Sequence, residues 1–510
     1  TANNYGGAIY QYTDESSIVI SDSDFTKNLA IAGGAIFTSV GGELAVEDST
    51  FTENEAAANN FGGAIYTQSD ASVTGSTFTD NVGAGYGNAL FSQIAGTTLV
   101  WSQNTVTGND GKAQVRTQFG VILESPLKVK ILNNDTVNIH MAPYNITAVV
   151  TDDMDNVIIN LAFRFKVGET EVTGISINGA TGIYQTEFTP TETGTFVVST
   201  NLQDADEVQT GVLNIYRSLT DLKNLIDNAE EGAVIELDGD YSYIDEFDAD
   251  LVDGIAIDKS VTINGNDYVI SGSDTARLFH VAEGKTLTLN DVTLTEAKAD
   301  KGAAVYVDAG AALNANNVNF TDNTATYRGG AIYSEGTVNV DTAVFDGNDI
   351  TFRTKNDDNG GAAIYNLNGV LNVNKANITN NLKNIVIRNG NAGDLLVGVV
   401  VSSGETTITD SYFANNTGSW GGAISSLGYL NSNPYTLTVT GTTFEGNNAT
   451  FGGAIFVESS NLVVDDCTFI ENSGVGVGSS GTSNTQGGAI VVFPNGAKAT
   501  ITGSNFTSNS

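Results

Sequence analysis

Phe51-Thr52-Glu53-Asn54, followed eight residues after Asn54 by Gly62-Gly63-Ala64-Ile65, carries the pattern that decides the fold. Gly-Gly-Ala(-Ala)-Ile recurs eight times, starting at Gly6, Gly33, Gly62, Gly329, Gly360, Gly421, Gly452 and Gly487, with looser versions at Gly87 and Gly302. Phe-x-x-Asn stands ahead of most copies, at Phe25…Asn28, Phe51…Asn54, Phe78…Asn81, Phe320…Asn323, Phe345…Asn348, Phe413…Asn416, Phe444…Asn447 and Phe469…Asn472; a last one, Phe506…Asn509, has no copy after it. Early motif intervals are 27 and 29 residues, later ones 27, 31 and 31, with one of 61 between Gly360 and Gly421. A spacing near ~30 with tolerated insertions marks a solenoid.

Within each interval apolar residues alternate with polar ones, the period of a strand. Leu44-Ala45-Val46 precedes Phe51, Val338-Asn339-Val340 precedes Phe345, and Leu462-Val463-Val464 precedes Phe469. The residue two before each Phe is small (Ser49, Ser76, Ser411, Thr442, Cys467) and shares its inward face. Two or three short strands per coil, stacked as parallel sheets ~4.8 Å apart, would place Phe on Phe and Asn on Asn. The asparagine is expected at a corner, tolerating left-handed backbone and bonding its neighbours in a ladder. The glycines are expected where φ is positive or where one coil presses on the next.

The chain has 510 residues and a net charge of −38, from 59 acidic against 21 basic side chains, although only 16% of residues are charged. Nucleic acid and anionic membranes, which need clustered positive charge, are excluded as partners. No apolar run reaches the length of a membrane-spanning segment. A single cysteine, Cys467, excludes an internal disulfide framework and a cysteine zinc site.

From Phe119 to Tyr216 the repeat gives way to alternating runs such as Leu127–Ile131, Ile146–Val149, Tyr184–Phe188 and Val212–Ile215. About eight such runs with turn signals between them predict an immunoglobulin-like sandwich. A helix over 218–231 follows, with Ser218 as N-cap and Asp221 closing a capping box. Its apolar face is Leu222, Leu225, Ile226 and Ala229, and it would cover the open end of a second β-helix. The organisation expected is therefore 1–118 parallel β-helix, 119–216 sandwich, and 217–510 parallel β-helix with its capping helix. The fold class is all-β.

No catalytic, cofactor-binding or metal-binding residues are expected. His140 and His280 lack any motif around them, and Asp465-Asp466 falls where Glu47-Asp48 falls in an earlier coil. Asp152-Asp153-Met154-Asp155 and Asp238-Gly239-Asp240 fit no complete calcium loop. Asn-x-Ser/Thr at Asn134, Asn145, Asn319, Asn377, Asn415, Asn448 and Asn505 supplies candidate glycan acceptors on an exported protein. Joining Ser510 to Thr1 would complete a repeat, so Phe506 and Asn509 are expected to meet Tyr5, Gly6, Gly7 and Ile9 of another copy. That head-to-tail joint would run within one polypeptide or between protomers, and it builds an open filament rather than a closed ring.

Gly-Gly-Ala-Ile paired with Phe-x-x-Asn resembles the repeats of chlamydial polymorphic outer-membrane proteins. It looks still more like the adhesin-like surface proteins of methanogenic archaea. The resemblance covers roughly 1–110 and 260–510. It implies a right-handed parallel β-helix displayed outside the cell, at the cell surface, with adhesion as its role. The many cysteines and terminal membrane barrel of the chlamydial proteins have no counterpart in these residues, which favours the archaeal comparison. The expected function is thus an extracellular adhesive or structural fibre, with copies of itself and a surface receptor or glycan as partners. The alternative is a carbohydrate-binding or polysaccharide-degrading β-helix.

Overall fold

The computed structural model describes the whole chain except residues 1–3, 14, 58–60, 84–86, 109–113, 119–120, 134, 162, 179–180, 203–204, 352–358, 383–395, 431–434, 475–485 and 494–496. It is a parallel β-solenoid, and the chain divides into two compact units, Thr1–Tyr216 and Arg217–Ser510.

Every Gly-Gly-Ala-Ile motif opens a short strand, and these strands stack into one sheet per unit. In the first unit the order is Ile9–Gln11, Ile36–Thr38, Ile65–Thr67, Leu90–Ser92, Val115–Thr117 and Ile158–Ile159. In the second, nine strands stack from Ile255–Ile257 to Ile490–Phe493. The register is in phase: Ile9 lies on Ile36, Ile36 on Ile65, Ile424 on Ile455 and Ile455 on Ile490. The long interval hides a coil that has lost the motif, because Val400 of Gly398-Val399-Val400 sits between Ile364 and Ile424.

The phenylalanines fill the bore as the alternation requires. Phe25, Phe51 and Phe78 are in register, with ring centroids 4.8 Å apart and planes within 5°. In the second unit the column reads Phe320, Phe345, Ile378, Phe413, Phe444, Phe469 and Phe506. Phe51 and Phe345 are fully buried, and burial of each such ring contributes roughly 1.5–3 kcal/mol.

The two glycines do different jobs. Gly33 is left-handed at φ 62°, and a Cβ there would stand 2.2 Å from the carbonyl oxygen of Ile36. Gly34 faces both the neighbouring coil and the far side of its own: a Cβ would lie 2.1 Å from the Gly63 carbonyl oxygen and 2.7 Å from Glu55 backbone. At Gly360 the reading shifts by one residue. Gly361 takes the left-handed place (φ 66°) and Ala362 the second, as Gly302 and Ala303 do.

The asparagine corner also differs from expectation in one respect. Left-handed backbone belongs to the residue before the asparagine (Lys27, Glu53, Asp80, Asp322, Asn415 and Glu471) rather than to the asparagine itself. The corner residue points to solvent, so its identity is free; the asparagine is freed to turn inward.

Residues 127–216 form two five-stranded sheets. One orders Ser176–Asn178, Ile183–Phe188, Tyr144–Thr151, Leu127–Ile131 and Ala205–Gln209; the other orders Thr136–His140, Gly211–Tyr216, Gly194–Thr200, Phe165–Val167 and Thr170–Val172. Ile158–Ile159, which falls inside the sandwich predicted over 119–216, instead extends the solenoid sheet by pairing parallel with Val115–Arg116. Ile122–Glu124 is likewise still a solenoid strand, paired with Thr98–Val100. One apolar core runs from Ile20 through Trp101 to Ile215.

In the second unit helix α1 (Leu219–Asn228) starts at Ser218 with the capping box complete. Leu219, Leu222 and Ile226 are buried in the solenoid core. Leu225, one of the four residues assigned to that face, is 43% exposed. It lies on the shoulder of the stripe, and Leu219 at the first turn takes its share of the core. A second short helix, α2 (Asp245–Asp248), brings the buried Asp248 carboxylate to the α1 N-terminus, where it accepts from Leu219 N–H (3.1 Å) and Thr220 N–H (2.8 Å). An anion at free helix N–H groups is favourable. The sequence reading placed a single helix here and missed this partner.

Candidate binding surfaces

The inner asparagines bond in one direction along the stack. Asn54 donates its backbone N–H (3.0 Å) and its Nδ2 (2.9 Å) to Asn81 Oδ1, and its second amide proton to the Phe25 carbonyl (2.9 Å). The same triplet repeats from Asn323 through Asn348, Asn381, Asn416, Asn447 and Asn472 to Asn509. A parallel row of hydroxyls runs beside the Phe column. Ser49 Oγ donates to Glu47 O (2.8 Å) and accepts from Ser23 N–H (3.2 Å), and Ser76 and Ser411 repeat the arrangement. Cys467 occupies that row: its Sγ contacts Asp465 O at 3.2 Å, and burial pushes its thiol pKa up.

The residues expected at an end-to-end joint lie on the outermost described coils. Phe506 is 48% exposed and its strand Asn505–Thr507 is exposed throughout. Asn509 accepts from Asn472 and donates to Phe469 O, and its backbone N–H has no acceptor among the described residues. At the other edge Tyr5 is exposed and stacks on Phe37 (4.5 Å), Gly6 bonds to Ala32 O, Gly7 to Gly34 O, and Ile9 is half-buried. Asn28 Oδ1 receives no donor from the described residues, whereas its N–H and Nδ2 both reach Asn54.

Asn145, Asn319, Asn377, Asn415 and Asn505 are exposed. Asn448 is only half-exposed, with a buried Oδ1; it lies beside the inner ladder rather than on an outward strand position. Asn134 falls outside the described residues.

The acidic groups singled out in the sequence are engaged with the protein. Asp152 is fully buried; its oxygens accept from Trp101 Nε1 (2.6 Å), Asn156 Nδ2 (2.7 Å), Asn156 N–H (2.8 Å) and Met154 N–H (3.0 Å). Burial raises its pKa despite these donors. Asp153 accepts from Gln103 N–H and Asp155 pairs with Lys128. Asp238 pairs with Arg217 (2.9 Å) and Asp240 accepts from Val269 N–H (2.8 Å). Asp465 is held by Thr502 (2.6 Å), and Asp466 turns a left-handed corner as Asp48 does. His280 lies 3.1 Å from Asp308 beside Tyr306, and His140 ends an edge strand of the two-sheet region. Among the described residues no group of three His, Cys, Asp or Glu could hold a metal ion, and no helix is long and apolar enough to cross a membrane.

A second aromatic column, which the sequence reading missed, runs outside the bore. The residue after each motif isoleucine points outward, yet Phe37, Tyr66, Phe91, Tyr333, Tyr365 and Phe456 are buried. Its signal was present in Ile36-Phe37, Ile65-Tyr66, Ile332-Tyr333 and Ile364-Tyr365. Scarce cations cover it: Arg277 stacks on Tyr306 (5.3 Å), Lys301 on Tyr333 (5.1 Å), Arg328 on Tyr365 (5.1 Å) and Arg116 on Phe61 (4.5 Å). Glu335 accepts from both the Tyr333 (2.9 Å) and Tyr306 (3.4 Å) hydroxyls.

Two stretches, 48–68 and 317–335, match the family model of the Chlamydia polymorphic membrane protein repeat. Each contains one Phe-x-x-Asn corner and the Gly-Gly-Ala-Ile motif after it, so the match falls on the elements that build the coil. No curated protein and no solved structure matches the chain. The chain is a β-solenoid repeat protein of that likeness.

Proposed function

We propose that this chain is part of an extracellular, adhesin-like surface protein whose stacked coils form a stiff presenting fibre. The observation that carries the reading is the unbroken register of the Phe and Asn columns out to Phe506 and Asn509. Each coil leaves its upper face with an aromatic ring and a forward-directed N–H, and its lower face with an amide oxygen. The Phe506 face and the Phe25 face are complementary in these terms, so further coils of the same pattern, in the same polypeptide or a second copy, would seat with Phe506 on Phe25 and Asn509 N–H on Asn28 Oδ1. The immunoglobulin-like reading of 119–216 gives the fibre a side module, and the exposed sequons give it glycan acceptors. The archaeal comparison remains part of this proposal.

No reaction is assigned. Support comes from the paired aspartates, whose oxygens are bonded to neighbouring strands and loops rather than gathered around a cleft.

Immunogold labelling of intact cells of the source organism, with antibodies to the purified chain, tests the reading. Labelled fibres on unpermeabilised cells are expected; label that appears only after permeabilisation overturns it.

A further inference from the structure

A cleft of about 970 Å³ opens within the first unit, between the outer aromatic column and the two-sheet region. Its floor is the Phe61–Phe91 ring pair (4.7 Å), with the Arg116 guanidinium stacked over Phe61. Phe163 and Tyr184, 4.8 Å apart, form the opposite wall. Arg164 stands at the rim, its side chain 54% exposed and paired with Glu171 at 2.6 Å. The side-chain amides of Gln118 and Asn160 line the space.

The charge of this lining is the informative feature. In a chain with a net charge of −38, the cleft is lined by two arginines and by no aspartate or glutamate among the described residues. Side-chain amides read a sugar's hydroxyls, and a guanidinium takes a carboxylate through two parallel hydrogen bonds. The rings, Phe91, Phe163 and Tyr184 being 3%, 9% and 2% exposed, back these groups with an apolar wall rather than offer open stacking faces. An exposed Arg–Glu pair contributes little, so a ligand carboxylate can exchange for Glu171 at Arg164. The volume is in the range of small-ligand sites.

We propose that this cleft binds an acidic sugar, a carboxylate-bearing pyranose within or at the end of a glycan. This gives the surface reading a ligand class and rests on it only for where that glycan is met.

Isothermal titration of the whole chain with tetragalacturonate, and with cellotetraose as neutral comparator, tests it. The acidic probe is expected to bind with Kd below about 1 mM and at least about tenfold more tightly than the neutral one. Arg164→Gln is expected to weaken acidic binding at least about tenfold while leaving the melting temperature unchanged, because the residue is exposed and its ion pair is weak. Gln118→Ala, at another exposed position, is expected to weaken it less. Equal binding of both probes, unchanged binding in R164Q, or no heat with tetragalacturonate at about 10 mM overturns the proposal. None of these failures bears on whether the protein is displayed at the surface, which the labelling experiment reads separately.

Discussion

Trp101 Nε1 and the buried Asp152 carboxylate, 51 residues apart in sequence, meet at 2.6 Å where the first aromatic column ends. The Trp101 ring lies 5.3 Å from Phe78, and Asp152 and Asn156 tie the Trp101–Asn104 stretch to the loop at 152–156. Both Asp152 oxygens accept two hydrogen bonds. Asp152→Asn must turn an NH2 group toward two donors, and is expected to cost about 1–3 kcal/mol in urea melts. An unchanged midpoint would refute the clamp.

The same carboxylate makes a pH prediction. Burial raises its pKa above the ordinary value. In the window that opens at that ordinary value and runs upward, the folded chain keeps a proton the unfolded chain has released. The stabilisation from the protonated group is complete below the window and is lost as pH rises through the folded-state pKa. The stability difference between parent and Asp152→Ala is therefore expected to narrow as pH rises above the ordinary carboxylate range of about 4. Melts showing that difference widen would contradict the assignment.

Position along the column sets the cost of losing a ring. Phe345 is fully buried, and Phe345→Ala is expected to cost about 3–5 kcal/mol. Phe506 is half-exposed, and Phe506→Ala should cost less than half as much. Hydrogen exchange should show opening confined to the coils flanking Phe345, since each coil contacts only its neighbours. Equal costs at the two sites would argue against the column as the source of stability.

Asn447→Ala leaves the Asn416 N–H without its acceptor, and removes one of the two acceptors of Asn416 Nδ2, the side-chain donor to the Phe413 carbonyl and one of the two donors to Asn472 Oδ1. With several buried hydrogen bonds lost at once, a loss of about 3 kcal/mol or more is expected. Asn145→Ala, on an exposed strand position, should fall within about 0.5 kcal/mol of the parent. Similar midpoints for the two variants would show that the ladder is not stabilising.

Cys467 stands in a row of hydroxyls, where sulfur is the weaker hydrogen-bonding atom. Cys467→Ser is expected to match or exceed the parent in stability, by up to about 1 kcal/mol. Burial and the raised pKa keep the thiolate scarce, so the native thiol should react with a disulfide reagent only on unfolding. Rapid modification of the folded chain would show that the row is open.

Phe51, Asn54 and Gly62 show why so much of the coil was legible. Alternation fixed which residues face inward, and the repeat spacing fixed that they stack. The left-handed corner was misassigned to Asn54 because propensity favours asparagine there, while the structure uses Glu53 and reserves the amide for the ladder. The outer column through Tyr66 and Tyr333 was illegible for a related reason. A period of two marks those residues as outward, and only the loops and cations folded over them make them buried. The cleft beside Arg116 joins residues from Phe61 to Leu202, a juxtaposition no local pattern contains.

The coil at Val400 has shed the first glycine and the alanine and keeps only Gly398 of the motif, yet its neighbours on either side keep perfect phase. A turn of this molecule is thus a replaceable module: duplication or loss of one leaves the joints above and below chemically identical. The length of the stack can then change in whole rungs without any new folding problem to solve.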